Sequence, residues 1–345
     1  MIKKLHILLL LLGFVFLGYL LHRTGVHRLW EGLVSLGWGL VPFVLLEFVA
    51  EGIHTVAWGF CLNERHRRLS WMQLFRIRMA GHAINYLTPT AALGGEATKA
   101  ALLSSPGKGA EAVGGVLVGK VFAGVGQLMF VAAGSLVVLG SVTLPRPVWV
   151  AMFLSGGCVG AGIIIFVLLQ KQGKLGMLIR WLAERRFAGQ MLRNAAGEVN
   201  KVDETLKVIY RDRSRDLLWA VIWHLVAYAT GLAQTWWFFH ILHQPFPAEA
   251  AANVWFLGMW FDLLTFAVPL NLGTLEGSRV FIFRAIGGTA VAGMTYSIAV
   301  RLAQLSWAIF GLLNYASMVP PARLRRLRFF QNRLPKVTAA GNPYP

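Results

Sequence analysis

Six apolar runs, each long enough to cross a lipid bilayer, constrain the fold of this chain more than any other feature. They lie at about residues 5–22, 37–61, 113–138, 147–170, 217–241 and 290–318. A hydrocarbon core about 30 Å thick needs about 20 helical residues, so runs of this length are typical of transmembrane helices. Only 14% of the residues are charged, against about 25% in soluble domains. The sequence therefore predicts an all-α polytopic membrane protein and excludes a soluble enzyme and a disordered chain.

The first run follows Lys3 and Lys4, as a secretory signal peptide would. It continues through residues 18–22 without a small-residue cleavage site, so we predict a retained span. Basic residues then predict the orientation, because Lys and Arg near span ends accumulate on the cytoplasmic side. Residues 171–216 carry eleven basic residues, and residues 323–336 carry six with no acid. Placing both segments inside predicts cytoplasmic N- and C-termini.

This orientation puts 25 basic residues in the cytoplasm, including Arg78. Three lie on the opposite side, namely Arg23, Arg28 and Arg146. The net charge of +18 is then concentrated beside one leaflet, and we expect no nucleic-acid partner. Segment 171–216 predicts a basic amphipathic helix on that anionic leaflet. Residues 319–345 form a basic cytoplasmic tail.

Two further apolar regions, about 72–103 and 251–287, are interrupted by Pro and Gly near their centres. The predicted orientation requires each region to enter and leave the membrane on the same side. Each arm has room for about 15–18 residues, or about 22–27 Å of helix, which is short for a full span. Re-entrant helical hairpins fit this length, although full-length arms would preserve the same orientation.

The two interrupted regions share a motif with an offset of 180 residues. The first copy contains Pro89, Gly94, Gly95, Glu96 and Lys99, and the second contains Pro269, Gly273, Glu276 and Arg279. A basic residue in the following span nearly repeats as well, as Lys120 and Arg301. The copies insert with opposite orientation, so we predict an inverted repeat within a single membrane domain, 1–345. Its halves span about residues 37–138 and 217–318.

The motif has a physical interpretation as an anion site. Proline lacks a backbone donor and breaks the incoming helix, and glycine permits a tight turn. The outgoing half-helix then points its positive N-terminus at the break, where Lys99 or Arg279 adds charge. An alternative is that Glu96–Lys99 and Glu276–Arg279 are ion pairs at i,i+3 that only stabilise each hairpin.

Ten charged residues are predicted at membrane depth, where each would cost roughly 2.5–3.5 kcal/mol at a helix centre. The acids are Glu47, Glu51, Glu96, Asp262 and Glu276, and the bases are Lys99, Lys120, Arg279, Arg284 and Arg301. We expect most of them to pair or to line a polar cavity. Glu47, Glu51 and His54 lie on one helix face, which favours either a proton relay or counter-ions for the bases. We expect no metal, because a carboxylate-bridged site needs a second Glu-x-x-His.

These motifs resemble the lysylphosphatidylglycerol synthase transmembrane-region family, also described as flippase-like integral membrane proteins. The resemblance rests on Asn85-Tyr-Leu-Thr-Pro89, Gly94-Gly95-Glu96 and Lys99, and then on Val268-Pro269, Gly273, Glu276-Gly and Arg301. It covers about residues 5–320, and it differs where Leu270-Asn271 replaces an expected glycine-rich stretch. It implies a lipid transporter of a bacterial-type cytoplasmic membrane. The chain ends with only a basic tail, so we expect no synthase activity.

Together these observations predict a lipid translocase that moves a phosphate-bearing or anionic lipid through a charged cavity between the hairpins. The predicted substrate-binding residues are Asn85, Glu96, Lys99, Lys120, Glu276, Arg279 and Arg301. The predicted hairpin breaks are Pro89, Gly94, Gly95, Pro269 and Gly273, and the predicted proton carriers or counter-ions are Glu47, Glu51, His54 and Asp262. We expect no cofactor. A lipid-synthesising enzyme is an expected partner.

Three other functions stay open from the sequence. A membrane-embedded transferase would use buried carboxylates as general bases, although no nucleotide, metal or nucleophile motif is present. A proton-coupled exporter of a small solute would need a cavity sealed from lipid. A structural subunit for a lipid-modifying enzyme would use segment 171–216 as a docking surface.

Overall fold

The chain folds into helices wherever its structure is described. A computed structural model describes residues 15, 17–87, 93–104, 109–175, 177, 190–242, 248–265 and 268–318. These residues contain no β-strand. The all-helical prediction is confirmed for this part of the chain.

The helices alternate long apolar elements with shorter ones. They are α1 (Val26–Leu36), α2 (Leu40–Cys61), α3 (Glu64–Arg67), α4 (Trp71–Leu87), α5 (Leu93–Leu103), α6 (Gly109–Ser141), α7 (Arg146–Gln172), α8 (Gln190–Asp212), α9 (Ser214–Ile241), α10 (Ala248–Leu264), α11 (Thr274–Ala285) and α12 (Ala290–Met318). Residues 17–24 are also helical.

Five helices of the described chain are long and apolar enough to cross a membrane. They are Val26–Cys61, Gly109–Ser141, Arg146–Gln172, Ser214–Ile241 and Ala290–Met318. They correspond to five of the six predicted spans, so the prediction of a multi-pass membrane protein is confirmed. The remaining run, 5–22, lies mostly outside the described residues.

The first of these five helices is longer than the sequence suggested. Residues 26–36 were not predicted as part of a span, but they form α1, which joins α2 through the short 3₁₀ turn Gly37–Gly39. Gly37 has a φ of 44° at the start of this turn, a conformation that favours glycine. The combined helix, Val26–Cys61, has 36 residues.

The core is built from helices of both predicted halves of the chain. Helix α2 packs along α9, and α4 packs along α12. Phe43 of α2 meets Phe238 of α9 and Tyr296 of α12 edge-on, with ring centroids 6.3 and 6.0 Å apart. On the other side of the core, α5 packs on α4, and α6 packs on α5 and α2; both place polar side chains beside α2.

Helix α8, within segment 171–216, packs part of its apolar face against other helices of the protein. Its residues Val202, Leu206 and Ile209 are buried against α6 and the end of α2. Tyr210 donates a hydrogen bond of 2.6 Å to Gln170 at the end of α7. The protein itself therefore covers the apolar face of this described part of the segment, 200–212.

Candidate functional site: a charged cavity between membrane helices

A polar cavity of about 250 Å³ lies between α2, α4, α5, α6 and α9. Its ionisable and amide side chains are Glu51, His54, Arg78, His82, Asn85, Glu96, Lys99, Lys120 and Tyr228. The cavity therefore brings together six of the side chains that the sequence predicts for the site. The side chains of the second motif copy do not line it.

Helices α2 and α4 contribute an ion-paired wall to this cavity. Arg78 donates to the Glu51 carboxylate at 2.9 Å, and His82 lies 3.8 Å from the same group. The Glu51 side chain is buried. Arg78 was expected among the cytoplasmic basic residues, but its side chain instead turns inward to pair with Glu51. A buried carboxylate without a partner would be costly, which explains this inward placement.

The opposite wall comes from α5 and α6. Lys99 pairs with Glu96 at 2.5 Å and lies 5.5 Å from the ring centroid of Trp58. Lys120 is 4.0 Å from the other Glu96 oxygen, and its side chain is 56% exposed. Glu96 is thus shared unequally, with a close bond to one lysine and a long contact to the other. Lys120 is therefore the most exposed and most loosely paired base of the cavity, and a ligand can reach its side chain.

The N-terminus of α5 is held by a side chain rather than left open. The backbone N–H of Gly95 donates to Asn85 Oδ1 at 2.7 Å, which satisfies one of the first-turn donors of the helix. Gly94 and Gly95 were predicted in the turn, but both lie in the first turn of α5. A Cβ on Gly95 would collide with the Gly81 carbonyl oxygen, so Gly81 and Gly95 allow the backbones of α4 and α5 to be in direct contact. Pro89 lies outside the described residues.

A pair of histidines closes the cavity toward α9. His54 Nδ1 lies 2.8 Å from His224 Nδ1, and the Tyr228 ring meets His54 edge-on at 4.8 Å. His224 is 1% exposed. Glu47 lies one helical turn before Glu51 on α2. It contacts Gln234 at 3.4 Å and does not line the cavity.

The second motif copy forms a separate charged cluster on α10, α11 and α12. Arg279 pairs with Asp262 at 2.8 Å, and Glu276 pairs with Arg301. The alternative of an i,i+3 ion pair between Glu276 and Arg279 is therefore not what the structure shows, because both side chains pair with residues of other helices. A Cβ on Gly258 would approach the Arg279 guanidinium to 2.9 Å, so this glycine makes room for the side chain.

Arg301 also holds the turn between α10 and α11. Its guanidinium donates to the carbonyl oxygens of Leu270 and Asn271 at 3.0 Å each. These two residues have φ angles of 58° and 46°. The sequence departs from a glycine-rich pattern at these two positions, and the backbone there adopts the left-handed conformation that glycine favours.

The same turn is fixed from the helix side. Pro269 begins the 3₁₀ turn, and Gly273, with a φ of 76°, precedes the first residue of α11. The Glu276 carboxylate accepts the N–H of Gly273 at 2.9 Å, so the acid caps its own helix while it pairs with Arg301. The two motif copies thus use the equivalent acid differently, because Glu96 faces a cavity and Glu276 is buried in a network.

The family model described as the lysylphosphatidylglycerol synthase TM region matches residues 5–312. The chain belongs to this family. No curated protein and no solved structure matches it significantly.

Membership of the lysylphosphatidylglycerol synthase TM-region family confirms the predicted resemblance over nearly the whole chain. It identifies a multi-pass membrane protein related to lipid modification or lipid flipping. Both charged clusters lie within the matched residues. The hydroxyl group of Tyr86, on α4, interacts with the Arg301 guanidinium of the second cluster.

Several side chains of this family member's cavity were missed by the sequence analysis. The most informative are Arg78 and His82, which form one wall. Together with Asn85 they occupy positions i, i+4 and i+7, and so lie on one face of α4. The same spacing drew attention to Glu47, Glu51 and His54, so this signal was present in the sequence.

The arrangement favours anion binding over metal binding. The cavity carries two acids, Glu51 and Glu96, and three bases, Arg78, Lys99 and Lys120. Its formal charge is therefore positive when its histidines are neutral. Within the described chain, no set of three His, Cys, Asp or Glu side chains is placed to hold a metal ion.

Proposed function

We propose that this protein is a lipid translocase that accepts the phosphate of a phospholipid or lipid-linked head group in the charged cavity. The observation that carries the proposal is Lys120. It lies eleven residues into α6, or about 17 Å along the helix from Gly109, yet its side chain is 56% exposed. A charged group at that depth is tolerated where it faces water or a polar ligand, which supports a cavity with access for a head group.

The charge of the cavity supports an anionic ligand. In the Arg78–Glu51 pair and in the Lys99–Glu96 pair, the base neutralises the acid. Lys120 adds an unbalanced positive charge. A phosphodiester carries one negative charge and would neutralise this surplus. Asn85, whose Oδ1 accepts the Gly95 N–H, offers its side-chain amide nitrogen as a donor for a remaining head-group oxygen. Acyl chains would stay in the lipid while the head group crosses.

Helix lengths support the proposal that two re-entrant hairpins frame the pathway. Helices α5 and α11 have 11 and 12 residues, or about 17–18 Å, which is well short of a bilayer core. Their partners α4 and α10 have 17 residues each, or about 25 Å. We propose that α4–α5 and α10–α11 enter from opposite sides as inverted repeats. Rocking of one half against the other would expose the cavity alternately.

The proposal extends to the membrane and its partners. The excess of basic residues in segment 171–216 and in the tail 319–345 favours a bacterial-type cytoplasmic membrane with both termini inside. We propose a transporter rather than an enzyme. The acids of the cavity are paired with bases, which suits the binding of an ion better than general-base catalysis. An enzyme that supplies the lipid is the partner that this function requires.

The test is a dithionite-quenching assay in proteoliposomes of anionic phospholipid. The probe is phosphatidylethanolamine with a fluorescent head-group label, which leaves the phosphate as its only charge. We expect faster loss of inner-leaflet fluorescence with the wild-type protein than with empty liposomes. Lys120→Gln should abolish most of this loss, because it removes the unbalanced positive charge.

The matched control is Lys207→Gln, which removes an exposed lysine of α8 that does not line the cavity. It should translocate the probe at the wild-type rate. Equal rates for Lys120→Gln and Lys207→Gln would refute the cavity as the site. Absence of activity with every labelled lipid, together with a new lipid product from candidate donors, would favour the transferase instead.

A further inference from the structure

The His54–His224 contact is the feature of the cavity that phosphate binding leaves unexplained. Two imidazole rings from α2 and α9 face each other through their Nδ1 atoms at 2.8 Å. His54 lines the cavity, whereas His224 is buried behind it and does not. The Nε2 atom of His224 has no hydrogen-bond partner among the described residues. Any proton that reaches this pair from the cavity must therefore arrive on the ring of His54.

The number of protons in the pair follows from this geometry. Only one hydrogen fits between two nitrogens 2.8 Å apart, so one ring donates and the other accepts. In the neutral pair, one of the two Nε2 atoms is therefore without a proton. Adding one proton there keeps the central hydrogen bond, whereas adding a second would place two N–H groups face to face. The pair is thus built to take up a single proton.

Charged or titratable groups from the neighbouring helices face this pair. They are Glu51 on α2, Arg78 and His82 on α4, Glu96 and Lys99 on α5, Lys120 on α6 and Tyr228 on α9. With its acids and bases mostly paired, the cavity leaves one formal positive charge beside the histidines. A further proton is then unfavourable in an empty cavity and favourable when an anion occupies it.

We propose that the His54–His224 pair binds one proton together with the anionic head group and so couples lipid translocation to a proton gradient. The inference rests on the proposed function. In the tautomer in which His54 donates its Nδ1–H to His224, the bare Nε2 is that of His54. The proton enters from the cavity onto this nitrogen, and the positive charge is then shared through the Nδ1–H···Nδ1 bond. It leaves by the same nitrogen after the cavity opens to the other side. By linkage, anion and proton each strengthen the binding of the other by the same factor.

The first experiment measures translocation under an imposed pH gradient of about two units, with the fluorescent phosphatidylethanolamine probe. The wild-type rate should change by about fivefold or more when the gradient is reversed, within the usual range of coupling between sites. His54→Gln and His224→Gln should each remove this dependence. His240→Gln is the matched control, because His240 lies on the same helix as His224 but is exposed at its end. A wild-type rate that ignores the gradient would overturn the proposal.

The second experiment does not depend on transport. Solution ¹⁵N spectra of the full-length protein in nanodiscs, labelled at histidine, follow the ring nitrogens of the pair with pH. We expect the two rings to titrate as a unit that takes up one proton, and either Gln variant to abolish that joint titration. Two independent titrations would overturn the proton site. If no labelled lipid moves at all, the proposed function fails, and these spectra still decide whether the pair shares a proton.

Discussion

Replacing Arg301 by Gln removes the guanidinium that joins α12 to the turn between α10 and α11. In the wild-type protein this group pairs with Glu276 and donates to the carbonyl oxygens of Leu270 and Asn271. The Glu276 side chain is 1% exposed, so the substitution leaves a buried carboxylate without its counter-ion. These three contacts lie at one turn, and Tyr86 of α4 is a further partner of the guanidinium, so the structural consequence is concentrated at that turn.

The magnitude follows from burial. Removing one partner of a buried ion pair costs about 3–5 kcal/mol, because the remaining charge stays desolvated. Glu276 keeps its bond from the Gly273 N–H, and Leu270 is exposed enough for water to reach its carbonyl. Both facts place the expected loss for Arg301→Gln near the lower end, at about 3 kcal/mol.

The assay is reversible unfolding in detergent micelles, which measures the free energy of unfolding. The matched control is Lys120→Gln, at the position that the sequence offset makes equivalent to Arg301. Lys120 is exposed and 4.0 Å from its nearest acid, so its removal should cost less than about 1 kcal/mol. The double variant Glu276→Gln/Arg301→Gln should lose about 2–3 kcal/mol less than the sum of its single variants. Equal losses for Arg301→Gln and Lys120→Gln would refute the reasoning.

Two further predictions concern the backbone of α5 and of the turn between α10 and α11, and both are read from the free energy of unfolding. Gly95→Ala should lower it by about 1–3 kcal/mol, because a Cβ there collides with the Gly81 carbonyl oxygen. Gly140→Ala, where a Cβ meets nothing within 4 Å, should raise it by up to about 1 kcal/mol, and a loss at both positions would contradict the steric account. Leu270→Gly should raise it by about 0.5–1 kcal/mol, since Leu270 has a φ of 58°. Leu270→Val should lower it, and the opposite order of these two variants would argue against strain at the turn.

The sequence predicts the membrane class and the helical architecture because these depend on local composition. Each span can be predicted from one continuous apolar stretch, such as 113–138 or 290–318, whichever helices pack against it in the fold. Family membership was likewise predictable from short motifs around Glu96 and Glu276. Helix α1 was missed because Arg28 and Glu31 interrupt its apolar residues, and a search for continuous apolar runs treats such a stretch as a loop.

Side-chain partners were predicted less well, and Arg279 shows why. Spacing along the chain suggested Glu276, three residues earlier, but the structure pairs Arg279 with Asp262 of α10. Which face of α11 meets α10 and which meets α12 depends on the rotation and packing of three helices. No local pattern contains that information.

Arg78 shows the same limit from the other direction. Counting basic residues by region assigns it to the cytoplasm, because the count ignores which way a side chain points. In the structure it pairs with Glu51 from another helix. Its spacing from His82 and Asn85 shows a polar face on α4, but only the packing of α2 beside that face identifies the partner.

By itself the sequence determined that this chain crosses the membrane several times, that it is helical, and that charged residues recur at matching positions in its two halves. Hydrophobicity and motif spacing are properties of the sequence itself, so they can be determined without knowledge of the fold. Only the tertiary structure showed that Lys120 lines a cavity, whereas Arg301 donates hydrogen bonds to the backbone of a turn. Two basic residues at equivalent positions differ in this way because burial and the nearest carboxylate are set by neighbouring helices.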